Sequence, residues 1–433
     1  MFHKRIQLGL IHMAVAMTLV PINSTLNRVM IKDLGISAAL VALLASLPYL
    51  ISPIQVVIGS FADRHSVWGL RRTPYITLGL LLCVIGVILS PYAAFLISDK
   101  FWFGLVVGLV AFGAWGMGYN LSAVSYMSLA SEISGEKGRS RTIAIMFTMM
   151  IVGIILTSIA LSRMVEPYSS QALVSAFRVI GLAALVLGML GLVKLENRSA
   201  RDSLPASDNY TWKEMFRVVA GNKQVKTFFI YLIILLAAIL GQDILLEPFA
   251  AEAFAMPVQV TTRITAIWGA CFLVAMVIAG ILEGKVHKLT LARLGGWNAL
   301  LGFVLIATSG MLSLPGIFYI GLVILGVGTG LSTVSNLSLM LDMTTAGKVG
   351  LFIGIWGMAN AISRLLGSLI GGVLRDALTY TLQNPVLAYV AVFIGMAFLM
   401  LISLWMLARI DVSLFRKQAQ YQISALERLT LVE

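Results

Sequence analysis

Charge is the scarcest commodity in this sequence. Only 12% of its 433 residues are Asp, Glu, Lys or Arg, about half the usual share of a soluble domain. A soluble fold of this length would need a far larger charged surface. Histidine occurs four times and cysteine twice. Cys83 and Cys271 both fall inside apolar stretches, so neither a disulfide framework nor a zinc site is implied. Three further motifs are missing: the Gly-x4-Gly-Lys-Ser/Thr phosphate loop, the Gly-x-Ser-x-Gly elbow and any paired metal ligands. The chain is accordingly not read as an enzyme.

Apolar residues make up 59% of the chain, and they are grouped. A bilayer core about 30 Å thick takes about 20 apolar residues per helical crossing. Twelve such runs fit: 6–31, 36–62, 73–97, 101–131, 141–163 and 172–195, then 226–254, 261–283, 290–312, 316–342, 348–374 and 385–409. They are continuously apolar rather than alternating every second residue, so they predict membrane-spanning helices and not a barrel. The lipid bilayer is the first partner implied. The opening Met-Phe-His-Lys-Arg resembles a signal n-region, but the apolar run continues through Pro21 and Asn23 without a small-residue cleavage site, and is expected to be retained.

The net charge of +12 would suggest nucleic acid in a soluble protein. Its placement points to topology instead. With both termini cytoplasmic, 23 of the 31 Lys and Arg lie in cytoplasmic segments; Arg28, Lys32, Lys100, Arg163, Arg178, Arg263, Arg364 and Arg375 remain.

An internal repeat organises the chain. Gly116 to Glu132, GMGYNLSAVSYMSLASE, overlays Gly326 to Asp342, GVGTGLSTVSNLSLMLD, at an offset of 210 residues with eight identities in seventeen positions. Both are fourth helices of a six-helix unit and run in the same direction, so the repeats are parallel. The expected layout is an all-α membrane protein of the twelve-helix major facilitator type: a first bundle over 1–195, a polar cytoplasmic linker over 196–225, a second bundle over 226–409 and a cytoplasmic tail over 410–433. The loop after the second helix reads Gly59-Ser-Phe-Ala-Asp63-Arg64, a gap, then Gly69-Leu-Arg71-Arg72, and resembles the major facilitator loop signature. The glycine is expected to let helices two and eleven approach. The Asp and arginines either pair across helix ends or serve as anchors for the positive side of the membrane.

Few charges lie within the spans, where each costs roughly 2.5–3.5 kcal/mol to insert. At about 1.5 Å per residue, Asp243 lies about 25 Å into helix seven and Arg364 about 24 Å into helix eleven, a shared depth in the outer third. Glu247 follows Asp243 by one turn and is expected to face the same way. Asn23, Asn27 and Arg28 reach that level on helix one. The expectation is a polar layer in which Asp243 and Glu247 are balanced by some of Arg28, Arg263 and Arg364. For Asp243 and Arg364 a structural pair and a substrate or gating role both stand; Glu247, Glu252, Arg28 and Arg263 could instead sit at the outer headgroup level and snorkel. His12 is the single histidine within a span, either structural or able to hold a chlorin magnesium or relay protons. Gly350, Gly354, Gly357, Gly367 and Gly371 predict close packing of helix eleven.

Three stretches resemble the PucC-like, or bacteriochlorophyll delivery, family of the major facilitators. They are Arg71-Arg72-Thr-Pro-Tyr-Ile, Gln242-Asp243-Ile-Leu-Leu-Glu247-Pro and Thr261-Thr262-Arg263-Ile-Thr265. The resemblance implies a role in photosynthetic organisms, in a thylakoid or plasma membrane. There the family helps to assemble chlorophyll-binding antenna or photosystem subunits, by delivering or shielding pigment. Chlorophyll is thus the implied cargo, and Gln242, Asp243, Glu247 and Arg263 are signature positions. The alternative is a secondary transporter of a small solute. The first half carries carboxylates only at span ends, Asp33 and Glu132, which argues against ordinary proton symport there.

Overall fold

The computed structural model describes residues 2–196, 223–282, 284–342 and 349–410. Helix dominates these residues. Eleven unbroken stretches are long and apolar enough to cross a membrane. In chain order, with the second crossing interposed, they are α1 (Phe2–Asp33), α3 (Thr73–Asp99), α4 (Phe101–Gly135), α5 (Arg141–Met164), α6 (Ser170–Leu192), α7 (Lys223–Ile244), α8 (Val258–Leu282), α9 (Lys288–Leu312), α10 (Pro315–Asp342), α11 (Val349–Leu382) and α12 (Pro385–Leu407). The twelfth crossing, α2, is broken into Ala38–Ala45, Leu47–Leu50 and Ile54–Arg64. Its prolines explain the breaks. Pro48 and Pro53 lack an N–H and clash with the carbonyl four residues earlier, so each can only open a new helical turn.

Phe2, Glu196, Lys223 and Ile410 share one side of the bundle, called the terminal face; the opposite side is the distal face. Most of the linker, 197–222, and the tail 411–433 lie outside the described residues. One apolar core gathers residues of α7 to α12 and takes in Ala42 and Ala45 of α2. Two others gather residues of α1 to α6, one of them also taking in Val258 of α8.

The internal repeat is physical as well as textual. A Cβ on Gly79 of α3 would lie 2.7 Å from the Ser122 nitrogen and 2.8 Å from the Gly118 oxygen of α4. On Gly295 of α9 it would lie 2.7 Å from the Ser332 nitrogen and 2.9 Å from the Gly328 oxygen of α10. At the terminal end of each hairpin stands an ion pair: Arg72 to Glu132 at 3.0 Å in one, Lys288 to Asp342 at 2.9 Å in the other. Small residues thus set the same backbone crossing twice.

Several expectations are corrected. Gly59 does not bring α2 to α11, because its neighbour is Val124 of α4. That approach is made by Gly372, where a Cβ would stand 2.7 Å from the Ala38 carbonyl oxygen. The side chains of Asp63 and Arg64 lie outside the described residues. The backbone N–H groups of Arg71, Arg72 and Thr73 instead donate to the Glu196 carboxylate, which caps the start of α3. Gly69 takes φ +76° in this turn, a conformation that favours glycine. The final correction concerns α11, which continues to Leu382 rather than ending at 374. Its extra turns carry Arg375 and Asp376, two charges that find partners.

Candidate functional site

Two helices lose their regular α geometry at the same depth. In α1, Pro21 is followed by π-helical turns over Ile22–Leu26 and Val29–Asp33. Single π turns are frequent at functional positions, because they rotate side chains out of register. In α7, Lys223–Gly241 gives way to a 3₁₀ turn at Gln242–Ile244, and a new helix runs from Leu246 to Phe254. Pro248 is the cause. It fits the first turn of the new helix but forbids α geometry through Ile244.

This break aims the two carboxylates apart, against the expectation that they face the same way. Asp243 turns towards α11, where Arg364 Nη1 donates to Oδ2 at 2.7 Å. Gln242 Nε2 donates to Oδ1 at 2.9 Å, so both oxygens are engaged. The Arg364 guanidinium also lies over the Tyr49 ring, 5.3 Å from its centroid. The approach of α11 rests on Gly367 and Gly241, packed backbone to backbone one turn beyond the pair. Around the pair lies a small cavity of about 10 Å³, lined by Asn23, Ser46, Tyr49, Asp243, Arg364 and Ser368 among others.

Glu247 turns the other way and meets no cation. Ser24 of α1 donates to its Oε1, and so does Thr265 of α8 at 2.8 Å. Beside it, Thr262 already donates to the Val258 carbonyl, so Thr25 is the donor in the 2.9 Å Thr25–Thr262 contact. The expected cation partners are committed elsewhere. Arg28 pairs with Asp33 and reaches the Met256 carbonyl at 3.4 Å. Arg263 donates to Ser162 at 2.8 Å and reaches Glu166 at 3.5 Å. Asn27 donates to the Asn23 carbonyl within α1. His12 is remote from this layer, eleven residues or about 16 Å back along α1. Its ring packs between Tyr126 and Phe147, with centroids at 5.0 and 5.1 Å, as part of the contact of α1 with α4 and α5.

Hydrogen bonds that join residues 2–196 to residues 223–410 gather towards the distal face. Besides those above, Lys32 bonds Glu252 at 2.5 Å, Ser158 bonds the Thr262 carbonyl at 2.6 Å and Ser162 bonds the Gln259 carbonyl at 2.7 Å. Asp376 of α11 accepts from the Ala38 and Ala39 N–H groups at 3.1 and 2.8 Å, capping α2 from the other half. Reading the sequence alone did not single out Asp376, Ser24, Tyr49 or Glu196. Ser24 adjoins Asn23, and Thr265 lies within a quoted signature stretch, so those two had a signal. Asp376 lay past the expected end of its helix.

This cap should act as a latch. Asp376→Asn leaves a weaker acceptor at the start of α2 and is expected to cost about 1 kcal/mol. Cysteine labelling at positions lining the α2–α11 seam should quicken several-fold in D376N. Unchanged labelling would show that the cap does not hold this face shut.

Comparison with known proteins matches this geometry to a family. The model of the PUCC protein family matches residues 25–415. Protein PucC of Rhodobacter capsulatus is 28% identical over 387 residues, covering 87% of this chain and 84% of the relative. The bacteriochlorophyll synthase 44.5 kDa chain of the same species is 27% identical over 414 residues, covering 92% and 93%. Among solved structures, a point-mutant form of the nucleoside transporter NupG superposes with a TM-score of 0.73 at 14% identity, covering 94% of this chain and 99% of that one. A bacterial homologue of the lysosomal transporter Spinster gives 0.71 at 14% identity, covering 94% and 97%. At such identities the superpositions establish the fold, the twelve-helix major facilitator architecture. Its seventh helix broken at Gln242–Ile244, this multi-pass integral membrane protein belongs to the PUCC protein family.

Proposed function

We propose that this protein is a membrane assembly factor for chlorophyll-binding antenna or photosystem complexes, acting by delivering or shielding pigment rather than by catalysing a covalent step. The observation that carries the reading is the family match over residues 25–415, which includes every residue of the polar layer except Asn23 and Ser24. Relatives named for PucC and for bacteriochlorophyll synthase support it. Both termini face the cytoplasm in this reading, in a thylakoid or plasma membrane, as the distribution of Lys and Arg suggests.

Pigment would be substrate here, not a resident group. The cavity, about 10 Å³ and thus room for about one water, falls far below the roughly 300–1,000 Å³ of ordinary ligand pockets. A tetrapyrrole would therefore bind after the halves part, or along the lipid-facing surface. Asp243 and Arg364 act as a gate in this scheme. Closing the site brings them together over Tyr49, and opening it separates them.

Gentle purification from the native membrane, followed by an absorption spectrum, tests the reading. Bound chlorophyll-type pigment or co-purifying antenna subunits are expected, and deletion of the gene should lower the amount of assembled pigment–protein complex. A colourless, partner-free protein whose deletion leaves those complexes intact would overturn it. The second reading, alternating-access transport of a small solute, is favoured only by the shared transporter fold. Solute uptake into proteoliposomes would promote it.

A further inference from the structure

Among the described residues, Glu247 is a carboxyl group that forms no ion pair. It is 1% exposed and sits where α1, α7 and α8 meet. Two hydroxyls converge on Oε1, while Oε2 is buried with no hydrogen-bond partner. The surrounding charges are spoken for on every neighbouring element. On α1, Arg28 is held by Asp33 and Lys32 by Glu252. On α7, Asp243 is neutralised by Arg364 of α11. On α8, Arg263 is held by Ser162 and Glu166 of the α5 end. Arg28 is the cation whose field reaches Glu247; its Nη1 and Nη2 are engaged by Asp33 and the Met256 carbonyl, and its Nε is buried without a partner and makes no bond to Glu247.

A buried carboxylate in such a place would be an uncompensated charge, among the most costly arrangements an interior can contain. A neutral acid fits the geometry. Oε1 then acts as the carbonyl oxygen accepting from Ser24 and Thr265, and Oε2 carries the hydrogen, so that the burial leaves one unpaired O–H rather than an unpaired charge. We infer that Glu247 is a proton-binding site that couples closure of the distal face to protonation. The neutral acid holds α1 and α8 around the broken end of α7. Loss of the proton to water leaves an anion that must be hydrated, and water reaches it only when α1 moves away from α7. No redox partner is needed, since the step is Glu–COOH giving Glu–COO⁻ and a proton on water. The inference adds a proton as an input to the conformational cycle, whatever the cargo.

The full-length protein in lipid nanodiscs allows two readouts. Infrared difference spectroscopy between mildly acidic and alkaline pH should reveal the C=O stretch of a protonated carboxyl, absent in Glu247→Gln and retained in Asp243→Asn. Spin labels at Lys100→Cys and Leu314→Cys, in a background lacking Cys83 and Cys271, report the width of the distal face. The wild-type distance should lengthen reversibly as pH rises, while E247Q stays short throughout. Equal pH responses of wild type and E247Q would overturn the inference, as would the lack of a carboxyl band belonging to Glu247. Should E247Q fail to fold, Thr265→Val decides: it removes one donor to the anion and should move the midpoint of widening to higher pH, and an unmoved midpoint counts against the site.

Discussion

Arg364→Ala should destabilise the folded protein by about 3 kcal/mol, the lower end of the cost of breaking a buried ion pair. The lower end applies because the two side chains remain 25% and 21% exposed. What remains in R364A is Asp243, bonded only to Gln242 Nε2 and carrying a charge without its counter-ion. Thermal unfolding in detergent should show a fall of several degrees, since about 1 kcal/mol corresponds to roughly 2–4 °C in chains of 150–250 residues and less in longer ones. Assembly of pigment–protein complexes should fall with it. Asp243→Asn should cost less, because a neutral amide can still accept from the guanidinium. The charge swap D243R/R364D should recover part of the loss. A swap no better than its worse single variant would refute a partnership between these residues.

Gly367→Ala is the second large effect, and its sign runs against helix propensity. Alanine normally stabilises an exposed helical position relative to glycine by about 1 kcal/mol. At 367 the added Cβ would stand 2.2 Å from the Ala237 carbonyl oxygen and 3.0 Å from the Gly241 Cα. Backbone cannot rotate away as a flexible side chain can, so α11 must retreat from α7. We expect a loss of about 3 kcal/mol and, because Arg364 lies three residues away, a separated Asp243–Arg364 pair. Gly357 is the internal control, with nothing within 4 Å of its added Cβ. Gly357→Ala should be neutral or slightly stabilising. If both alanines behave alike in thermal unfolding, tight backbone packing is not what Gly367 supplies.

Most of the architecture could be read from the chain because a span announces itself locally. Some twenty apolar residues bounded by charge need no partner to be recognised, and the ends found for α3, α5 and α9 lie within three residues of expectation. Breaks were harder. Pro48, Pro53 and Pro248 each interrupt a helix, yet Pro91 sits inside the unbroken α3. Proline alone is thus insufficient, and its effect depends on whether neighbouring helices absorb the distortion. The error at Glu247 follows from this. Four residues along an ideal helix face one way, and the 3₁₀ turn at Gln242–Ile244 redirected the second carboxylate to hydroxyls that composition does not flag. Asp376 was illegible for another reason. Its partners lie 338 and 337 positions away, and no local pattern announces a cap donated by a different helix.

The matched crossings in the α3–α4 and α9–α10 hairpins give the two halves the same internal joint. Gly79 faces Ser122 and Gly118 as Gly295 faces Ser332 and Gly328, and each hairpin ends in a basic–acidic pair. The first helices of the halves also lose α geometry at one depth, in the π turns of α1 and the 3₁₀ turn of α7. What they carry there differs, for Ser24 of α1 donates to Glu247 beyond the turn of α7, a contact that needs two unlike copies. A half-length chain pairing with itself would therefore be expected to keep the joint and lose that contact.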